Sequence, residues 1–177
     1  KRNKSINSKF IMFLDDDIVF HRNAFINMNR KINLYEKKNN INILGYGFNQ
    51  VDRNSPSNIE KIKNSNLIKF LGLYSDLPGT ILSSGWETKI INLKRNTFTD
   101  WMHTAALIVP CEKLKANFDI NFGEYSYLED LDFSMQIKNK NKNGKFLLVS
   151  SAKFNHPNVI HRTTFSFGIL EFVNRYI

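Results

Sequence analysis

Short continuous apolar runs alternate along this chain with segments in which apolar residues recur at helical spacing. The run Phe10–Leu14 is bounded by polar residues and is consistent with a strand that is buried on both faces. Between residues 22 and 37 apolar residues recur every three or four positions, which predicts a helix, and residues 41–48 predict a second strand. The first third therefore predicts the order strand, helix, strand, which is typical of a parallel α/β unit.

The rest of the chain predicts further elements of both kinds. The apolar residues of 128–140 share one broad face of a helix, which ends in a turn rich in Lys, Asn and Gly. Strands are predicted over 145–150 and 152–155. We further expect a helix over 59–73, short strands over 80–82 and 105–109, a helix start at Pro110 and a C-terminal helix over 165–176. The whole pattern predicts an α/β fold in a single domain that covers residues 1–177.

The composition fits a domain with a hydrophobic core. The chain has 177 residues, of which 42% are hydrophobic and 23% are charged, so wholesale disorder is not expected. Its single cysteine, Cys111, excludes a disulfide framework and a cysteine-rich zinc site. No apolar stretch approaches the roughly 18 to 20 residues that a membrane helix needs, and no signal peptide is visible.

The net charge of +9 suggests anionic partners such as nucleic acid, phospholipid head groups or phosphorylated small molecules. Lysine and asparagine are abundant throughout the chain, however, so most lysines are expected simply to solvate the surface. The basic residues do not interleave with aromatic residues in the manner of nucleic-acid-binding segments. We therefore expect no nucleic-acid partner.

Six of the sixteen acidic residues lie in two clusters, one after the first strand and one at the start of the helix over 128–140. Like charges repel, so each cluster needs a cation, a helix N-terminus or solvent beside it. In the first cluster, Asp15 and Asp17 face the same way in an extended chain, while Asp16 faces elsewhere. Two carboxylates at the carboxyl end of a strand suit Mg²⁺ or Mn²⁺, and the alternative is a solvated acidic turn.

The second cluster, Glu129-Asp130 with Asp132, has two interpretations. Acidic residues in a first helical turn are stabilised by the helix dipole and by the free N–H groups there. A carboxylate that is ionised at pH 7 can also act as a general base toward a hydroxyl group. Both interpretations can hold for different acids of the cluster.

His156 follows the predicted strand over 152–155 and precedes a proline. A histidine at a strand end can return to the sheet edge beside the first acidic cluster. Imidazole is an acceptable ligand for Mn²⁺ and a poorer one for Mg²⁺. The other three histidines, His21, His103 and His161, are expected to be structural.

These motifs, taken in order, resemble those of a known family. The segment FIMFLDDDIVF carries a D-x-D motif on Asp15 and Asp17, directly after a strand. In residues 118–156 an E-D pair opens a helix, a Lys/Gly turn and two strands follow, and a histidine closes the segment. The chain thus resembles the family 2 glycosyltransferases of the GT-A fold, with 79–109 similar to their variable acceptor region. The resemblance implies a Rossmann-like nucleotide-diphospho-sugar transferase fold, in which helices flank a mixed sheet.

On the donor side, the resemblance implies a divalent metal, Mn²⁺ or Mg²⁺, that bridges the diphosphate of a nucleotide-sugar donor. Asp17 would coordinate this metal, and His156 would be a further ligand. Asp15 would contact the metal or the donor, and Asp16 would contact the donor.

On the acceptor side, the resemblance implies an inverting transfer to a hydroxyl group. Asp130 would be the general base, Glu129 would help to hold the acceptor and Asp132 would support the helix. Trp101 would line the acceptor pocket. The acceptor would be a glycan, a lipid-linked sugar or a protein, and the domain would be cytoplasmic, with peripheral contact at the inner face of the membrane.

Two features depart from the family pattern. The family often has arginine at the position of Gln136 and glycine near Thr104 or Ala105, which puts the fine acceptor geometry in question. The family's opening strand and loop, which bind the nucleotide base, would precede Lys1. We therefore expect the fold to be incomplete at the N-terminus of this chain.

Two other classes of function are compatible with parts of the sequence. In phosphohydrolases of the haloacid dehalogenase type a buried strand also precedes D-x-D, and Asp15 would then be the nucleophile and Asp17 the acid/base. That class needs a late acidic motif at a strand end, whereas Glu129 and Asp130 are predicted to open a helix. The non-enzyme alternative is a basic binding module for anionic lipid or nucleic acid, or an inactive transferase domain.

Overall fold

The structure, a computed structural model, describes residues 8–37, 41–51, 66–72, 74–122, 128–142 and 144–156, together with 169, 173 and 174. Its elements, in chain order, are β1 Phe10–Leu14, β2 Val19–Phe20, α1 Ala24–Glu36, β3 Ile43–Gln50, α2 Asn66–Phe70, β4 Thr97–Thr99, β5 Ala106–Pro110, a 3₁₀ turn Ile120–Phe122, α3 Glu129–Lys140 and β6 Lys145–Asn155. The prediction of an α/β class is confirmed at the level of a mixed α/β fold. Within the described ranges, none of the helices has the length and apolar character that crossing a membrane requires.

The six strands form one mixed sheet in the order β1-β5-β3-β6-β2, and β4 also pairs with β6. Among the strands of the described residues, only β3 and β6 are parallel neighbours, with Tyr46 opposite Leu147. β1 and β3 run in the same direction, as predicted for a parallel unit, but β5 lies between them and runs antiparallel to both. The carboxyl ends of β1, β3 and β6 therefore lie at one edge of the sheet, together with the start of β5.

β1 is more exposed than its sequence predicts. Ile11 is 39% exposed and Leu14 is 51% exposed, because β1 is the first strand of the described sheet and pairs only with β5 there. The prediction of burial on both faces is thus wrong. A continuous apolar run does not by itself show which strands will be neighbours, so it does not identify β1 as the first strand of the sheet.

Helices cover the two faces of the sheet. Successive residues of a strand point to opposite faces, so Leu147 and Val149 of β6 belong to one hydrophobic cluster and Phe146 and Leu148 to the other. The hydrophobic cluster that contains Leu147 and Val149 is completed by α1, which buries Ala24, Met28 and Ile32. The hydrophobic cluster that contains Phe146 and Leu148 is completed by α3, which buries Phe133 and Ile137. The start of α3 is thereby fixed against the sheet.

β6 is one strand where the sequence predicts two. Its pairing with β3 shifts from Phe48 opposite Val149 to Asn49 opposite Lys153, so residues 150–152 form an irregularity in the strand. Side-chain amides bond to the backbone there: Asn49 donates to the carbonyl of Ser150 at 3.1 Å and Asn27 donates to that of Ser151 at 2.8 Å. Because these groups are paired, β6 continues to Asn155 and carries the next residue, His156, to the edge of the sheet.

The remaining predictions have mixed outcomes. Pro110 ends β5 and is followed by a turn, so the predicted helix start there is wrong. Residues 80–82 form only an isolated bridge between Ile81 and Glu87. Of the predicted helix over 59–73, α2 is described, and residues 59–65 and 73 lie outside the described ranges. Most of the predicted C-terminal helix over 165–176 also lies outside them.

Candidate metal and acid–base site

The turn between β1 and β2 carries the first acidic cluster. β1 ends at Leu14, and the backbone N–H of Asp15 then donates to the carbonyl oxygen of Ala105 at 3.1 Å. This bond continues the β1–β5 ladder, in which Leu14 pairs with Ala106. Asp15 is therefore held opposite the start of β5, and the chain turns at residues 16 and 17 toward β2.

His156 is brought to this turn by the pairing of β2 with β6. Val19 lies opposite Asn155, so the residues that flank this pair come together at the sheet edge. Nε2 of His156 lies 2.9 Å from Oδ1 of Asp17 and 3.9 Å from Oδ2 of Asp15. The sheet thus brings His156 to Asp15 and Asp17, which lie far from it in the sequence.

These three side chains can hold a divalent metal. One ligand atom from each of Asp15, Asp17 and His156 lies within 4.8 Å of the other two. Two ligands about 2.1 Å from one ion can be up to roughly 4.2 Å apart, so small side-chain rotations would complete the set. Two carboxylate oxygens and an imidazole nitrogen suit Mn²⁺ better than Mg²⁺. The side chains are only partly buried, which leaves room for further ligands from solvent or a bound molecule.

The electrostatics of Asp15 show that negative charge is concentrated here. Burial raises the pKa of the Asp15 carboxyl, and the charge of His156 lowers it. The charges of three other aspartates, Asp130, Asp17 and Asp16, raise it again. The net result is a pKa above the ordinary value, and a bound cation would oppose this shift because it favours the charged carboxylate.

Asp130 is the second residue of α3, and both of its carboxylate oxygens have partners. Oδ1 accepts hydrogen bonds from the backbone N–H of Thr104 at 3.0 Å and from the Thr104 hydroxyl. Oδ2 lies 3.5 Å from Nδ1 of His103. Burial raises the pKa of Asp130, but the hydrogen bond and charge of His103 and the hydrogen bonds of Thr104 outweigh it. The pKa therefore lies below its ordinary value.

Residues 104 and 105 connect the two acidic clusters. The carbonyl of Ala105 binds the backbone of Asp15, and the adjacent Thr104 binds the carboxylate of Asp130. The charge of Asp130 accordingly reaches Asp15 and raises its pKa. The candidate metal ligands and the carboxylate at the start of α3 thus lie near one another at one edge of the sheet.

The other predicted site residues lie in the turn after β1, on α3 and in the segment before β5. Glu129 is the first residue of α3 and is half-buried, and Asp16 is exposed in the turn. Asp132 accepts a hydrogen bond from Gln136 at 2.6 Å within the helix. Trp101 is only 6% exposed, and its indole N–H donates to the carbonyl of Thr88 at 3.3 Å. A buried ring whose N–H is already bonded offers little surface to an acceptor, so the contact predicted for Trp101 has little support.

His103, which the sequence predicts to be structural, also lies beside Asp130. Its ring contacts Asp130 and packs edge-to-face on Trp101, with ring centroids 4.8 Å apart. Residues just before β5 lie opposite the end of β1 once these strands pair, and β1 leads into the D-x-D motif. Knowledge of that antiparallel pairing would have placed both His103 and Thr104 at the site.

Comparison with protein-family models, curated proteins and solved structures gives no match for this chain. Function is therefore inferred from the arrangement of the side chains and from the sequence motifs. The arrangement combines three candidate ligands for a divalent metal with a carboxylate–imidazole pair close by. With a cation bound, such a site could neutralise anionic oxygens on one side and accept a proton on the other.

Proposed function

We propose that this chain is the catalytic domain of an inverting glycosyltransferase, which moves a sugar from a nucleotide-sugar donor to a hydroxyl acceptor. One observation carries the proposal: the candidate ligand atoms of Asp15, Asp17 and His156 meet at the sheet edge. Asp130 is close enough for its charge to act on this cluster. Sugar transfer from a diphosphate needs both a cation for the leaving group and a base for the attacking hydroxyl.

On the donor side, Asp17 and His156 would hold Mn²⁺ or Mg²⁺, with Asp15 completing the set. A bound metal would supply positive charge that stabilises the departing nucleoside diphosphate. The protein side chains would fix the diphosphate relative to the acceptor, which converts a collision into an oriented reaction. The exposed Asp16 lies beside the cluster and would contact the donor.

On the acceptor side, Glu129 and Asp130 open α3, and the acceptor hydroxyl would approach the sugar from that direction. Asp130 would take part in removing the hydroxyl proton, which is typically worth about 10² to 10⁴ in rate. Attack from the face opposite the diphosphate would invert the configuration at the anomeric carbon.

Membership of family 2 and the GT-A fold belong to the same proposal. They are supported by the order of the motifs along the chain, D-x-D after a strand, E-D at a helix start and a histidine at a strand end. The mixed sheet with helices on both faces is compatible with that fold. The net charge of +9 suits an acceptor that is presented at an anionic membrane, on the cytoplasmic side.

The test is metal-dependent turnover by the full-length protein. UDP-glucose, UDP-N-acetylglucosamine, GDP-mannose and dTDP-rhamnose are each supplied with MnCl₂, and release of the nucleoside diphosphate is measured with and without EDTA. We expect release with at least one donor and its loss in EDTA. Asp17→Asn should lose Mn²⁺ binding in a calorimetric titration, because a neutral amide is a weaker ligand than a carboxylate.

The matched control is Asp76→Asn, which changes an exposed carboxylate that is paired with Lys69 and belongs to neither acidic motif. It should bind Mn²⁺ as the wild type does. Full activity in EDTA would contradict the metal assignment. Hydrolysis of p-nitrophenyl phosphate without any nucleotide-sugar turnover would favour the phosphohydrolase class instead.

A further inference from the structure

The carboxylate of Asp130 is poorly suited to accept a proton by itself. Oδ1 already receives two hydrogen bonds from Thr104, and Oδ2 faces Nδ1 of His103 at 3.5 Å. Every one of these contacts stabilises the charged carboxylate, and together they keep its pKa below the ordinary value. A weak base with three polar contacts has little tendency to take a further proton.

His103 is the other half of the pair, and its ring is held in place. Trp101 packs edge-to-face against it, and the Nδ1 side of the ring faces the carboxylate of Asp130. A lone pair on Nδ1 would repel the carboxylate, so the favoured neutral form carries its hydrogen on Nδ1 and its lone pair on Nε2. The side chain is 30% exposed, so the ring is accessible from solvent.

We propose that His103, oriented by Asp130, is the proton acceptor of the sugar transfer, an inference that rests on the function proposed above. The O–H bond of the acceptor breaks as its oxygen bonds to the anomeric carbon of the donor sugar. The bond from that carbon to the diphosphate breaks, and its electron pair leaves with the diphosphate. The proton goes to Nε2 of His103, and the resulting imidazolium is stabilised by the carboxylate of Asp130.

General chemistry favours this division of roles. A base works best when its pKa is close to the operating pH, and imidazole, ordinarily near 6.5, is closer to pH 7 than a carboxylate near 4. A carboxylate on Nδ1 that leaves Nε2 free is also the arrangement that orients histidine bases in serine hydrolases. In this chain Thr104 donates two hydrogen bonds to Oδ1 of Asp130, the oxygen that does not face His103, so the orientation of the Asp130 carboxylate is fixed as well.

The first test needs no substrate. The chain is labelled with nitrogen-15 in its histidines, and the His103 signals are assigned by their loss in His103→Gln. We expect the neutral ring to carry its proton on Nδ1, and this preference to weaken in Asp130→Asn, because the negative charge is then absent. A neutral ring with its proton on Nε2 in the wild type would overturn the proposal.

The second test measures nucleoside diphosphate release from the donor panel with Mn²⁺. Both His103→Gln and His103→Ala should lower kcat by about 10² to 10⁴ with KM for the donor unchanged, since only the proton acceptor is removed. Added imidazole should restore turnover to His103→Ala. Pyrazole, a ring of the same size but a much weaker base, should not.

The controls separate a chemical role from a structural one. His21→Gln removes an exposed imidazole that contacts Asn155 and belongs neither to the ligand cluster nor to the Asp130–His103 pair, and it should turn over at the wild-type rate. Thermal unfolding and Mn²⁺ binding should be preserved in both His103 variants. Turnover by His103→Gln within about threefold of wild type, a difference under 1 kcal/mol, would overturn the proposal. Loss of turnover that imidazole does not restore would overturn it too, and would return the base to Asp130.

The two proposals fail in different ways. If the wild type releases nucleoside diphosphate from none of the donors, the proposed transferase function fails, and the reaction step assigned to His103 fails with it. The nitrogen-15 spectra still decide in that case whether Asp130 orients the ring. If the wild type is active and His103→Gln is equally active, only the assignment of His103 fails.

Discussion

Two carboxylates of the site, Asp15 and Asp130, have pKa values displaced in opposite directions. Burial and the charges of neighbouring aspartates raise the pKa of Asp15 above its ordinary value, whereas the contacts with His103 and Thr104 hold the pKa of Asp130 below its own. Carboxylates whose environments separate their pKa values in this way have different roles. In the proposed reaction a bound cation would favour the charged form of Asp15, and Asp130 would stay ionised to orient or stabilise a partner.

Asp130→Asn tests whether Asp130 acts in the reaction without taking part in metal binding. The amide has nearly the same shape but no charge, so it neither accepts a proton nor stabilises an imidazolium. We expect kcat to fall by about 10² to 10⁴ while the affinity for Mn²⁺ is kept, since Asp130 is not in the ligand cluster. The rate of nucleoside diphosphate release and a calorimetric Mn²⁺ titration provide the two measurements.

Asp132→Asn is the matched control for that experiment. It makes the same change in the same helical turn, and its amide oxygen can still accept the hydrogen bond from Gln136. Its kcat should stay close to that of the wild type. Unchanged turnover in Asp130→Asn would remove Asp130 from the reaction altogether.

At the level of elements, α3 and the segment 101–104 act as one unit. Ser134 of α3 is fully buried; its hydroxyl accepts from the N–H of Met102 at 3.1 Å and donates to the carbonyl of Met102 at 3.2 Å. One turn earlier on the same helix, Asp130 binds Thr104. The helix therefore binds the segment that carries His103 at two points. Ser134 binds Met102 in the core, and Asp130 binds Thr104 at the candidate site.

Ser134→Ala tests the structural point of attachment. The substitution leaves the N–H and the carbonyl of the buried Met102 backbone without their partner, which costs about 1 to 3 kcal/mol. We expect the free energy of unfolding, measured in urea, to fall by that amount. Asn33→Ala, on the exposed face of α1, is the control and should have little effect. Equal stability of the two variants would mean that the Ser134 bonds contribute nothing to holding the segment.

On the scale of the whole molecule, Asp100 connects three elements. It follows β4, and its carboxylate pairs with Lys138 near the end of α3 and with Lys145 at the start of β6, the latter at 2.6 Å. Burial raises the pKa of Asp100, but the hydrogen bonds and charges of the two lysines outweigh it and leave the pKa below its ordinary value. The ionised carboxylate thus stabilises the folded chain.

Asp100→Asn should therefore have an effect that depends on pH. A lowered pKa in the folded state contributes stability above the ordinary aspartate pKa, and this contribution is lost as the pH falls through the folded value. We expect the variant to be less stable by about 1 to 3 kcal/mol at pH 7, since charged hydrogen bonds are lost, and the difference to shrink as the pH is lowered below 4. Urea unfolding at a series of pH values measures both.

The exposed pair of Asp76 and Lys69 provides the control for this prediction. Its atoms are as close, at 2.6 Å, but the Asp76 side chain is 67% exposed. Asp76→Asn should change stability by less than about 1 kcal/mol at any pH, because exposed ion pairs contribute little. A loss in Asp100→Asn that stays the same from pH 7 to pH 3 would show that the charge of Asp100 is not its cause.

The candidate ligands and the acid at the helix start were found from local pattern alone. A strand that ends in D-x-D, an E-D pair that begins a helix and a histidine at a strand end are features of short segments. They depend on backbone periodicity and on helix-end electrostatics, which nearby residues determine. The strand and helix positions of Phe10–Leu14, Ala24–Glu36 and Glu129–Lys140 follow the predicted ones for the same reason.

What the tertiary structure decided is which strands are neighbours. The insertion of β5 between β1 and β3 exposes Leu14 and places Ala105 and Thr104 beside the aspartates. It also carries His103 to Asp130, a contact that no local pattern contains. Strand pairing is a choice among many distant partners with similar apolar sequences, so it is settled by the packing of the whole chain rather than by any one segment.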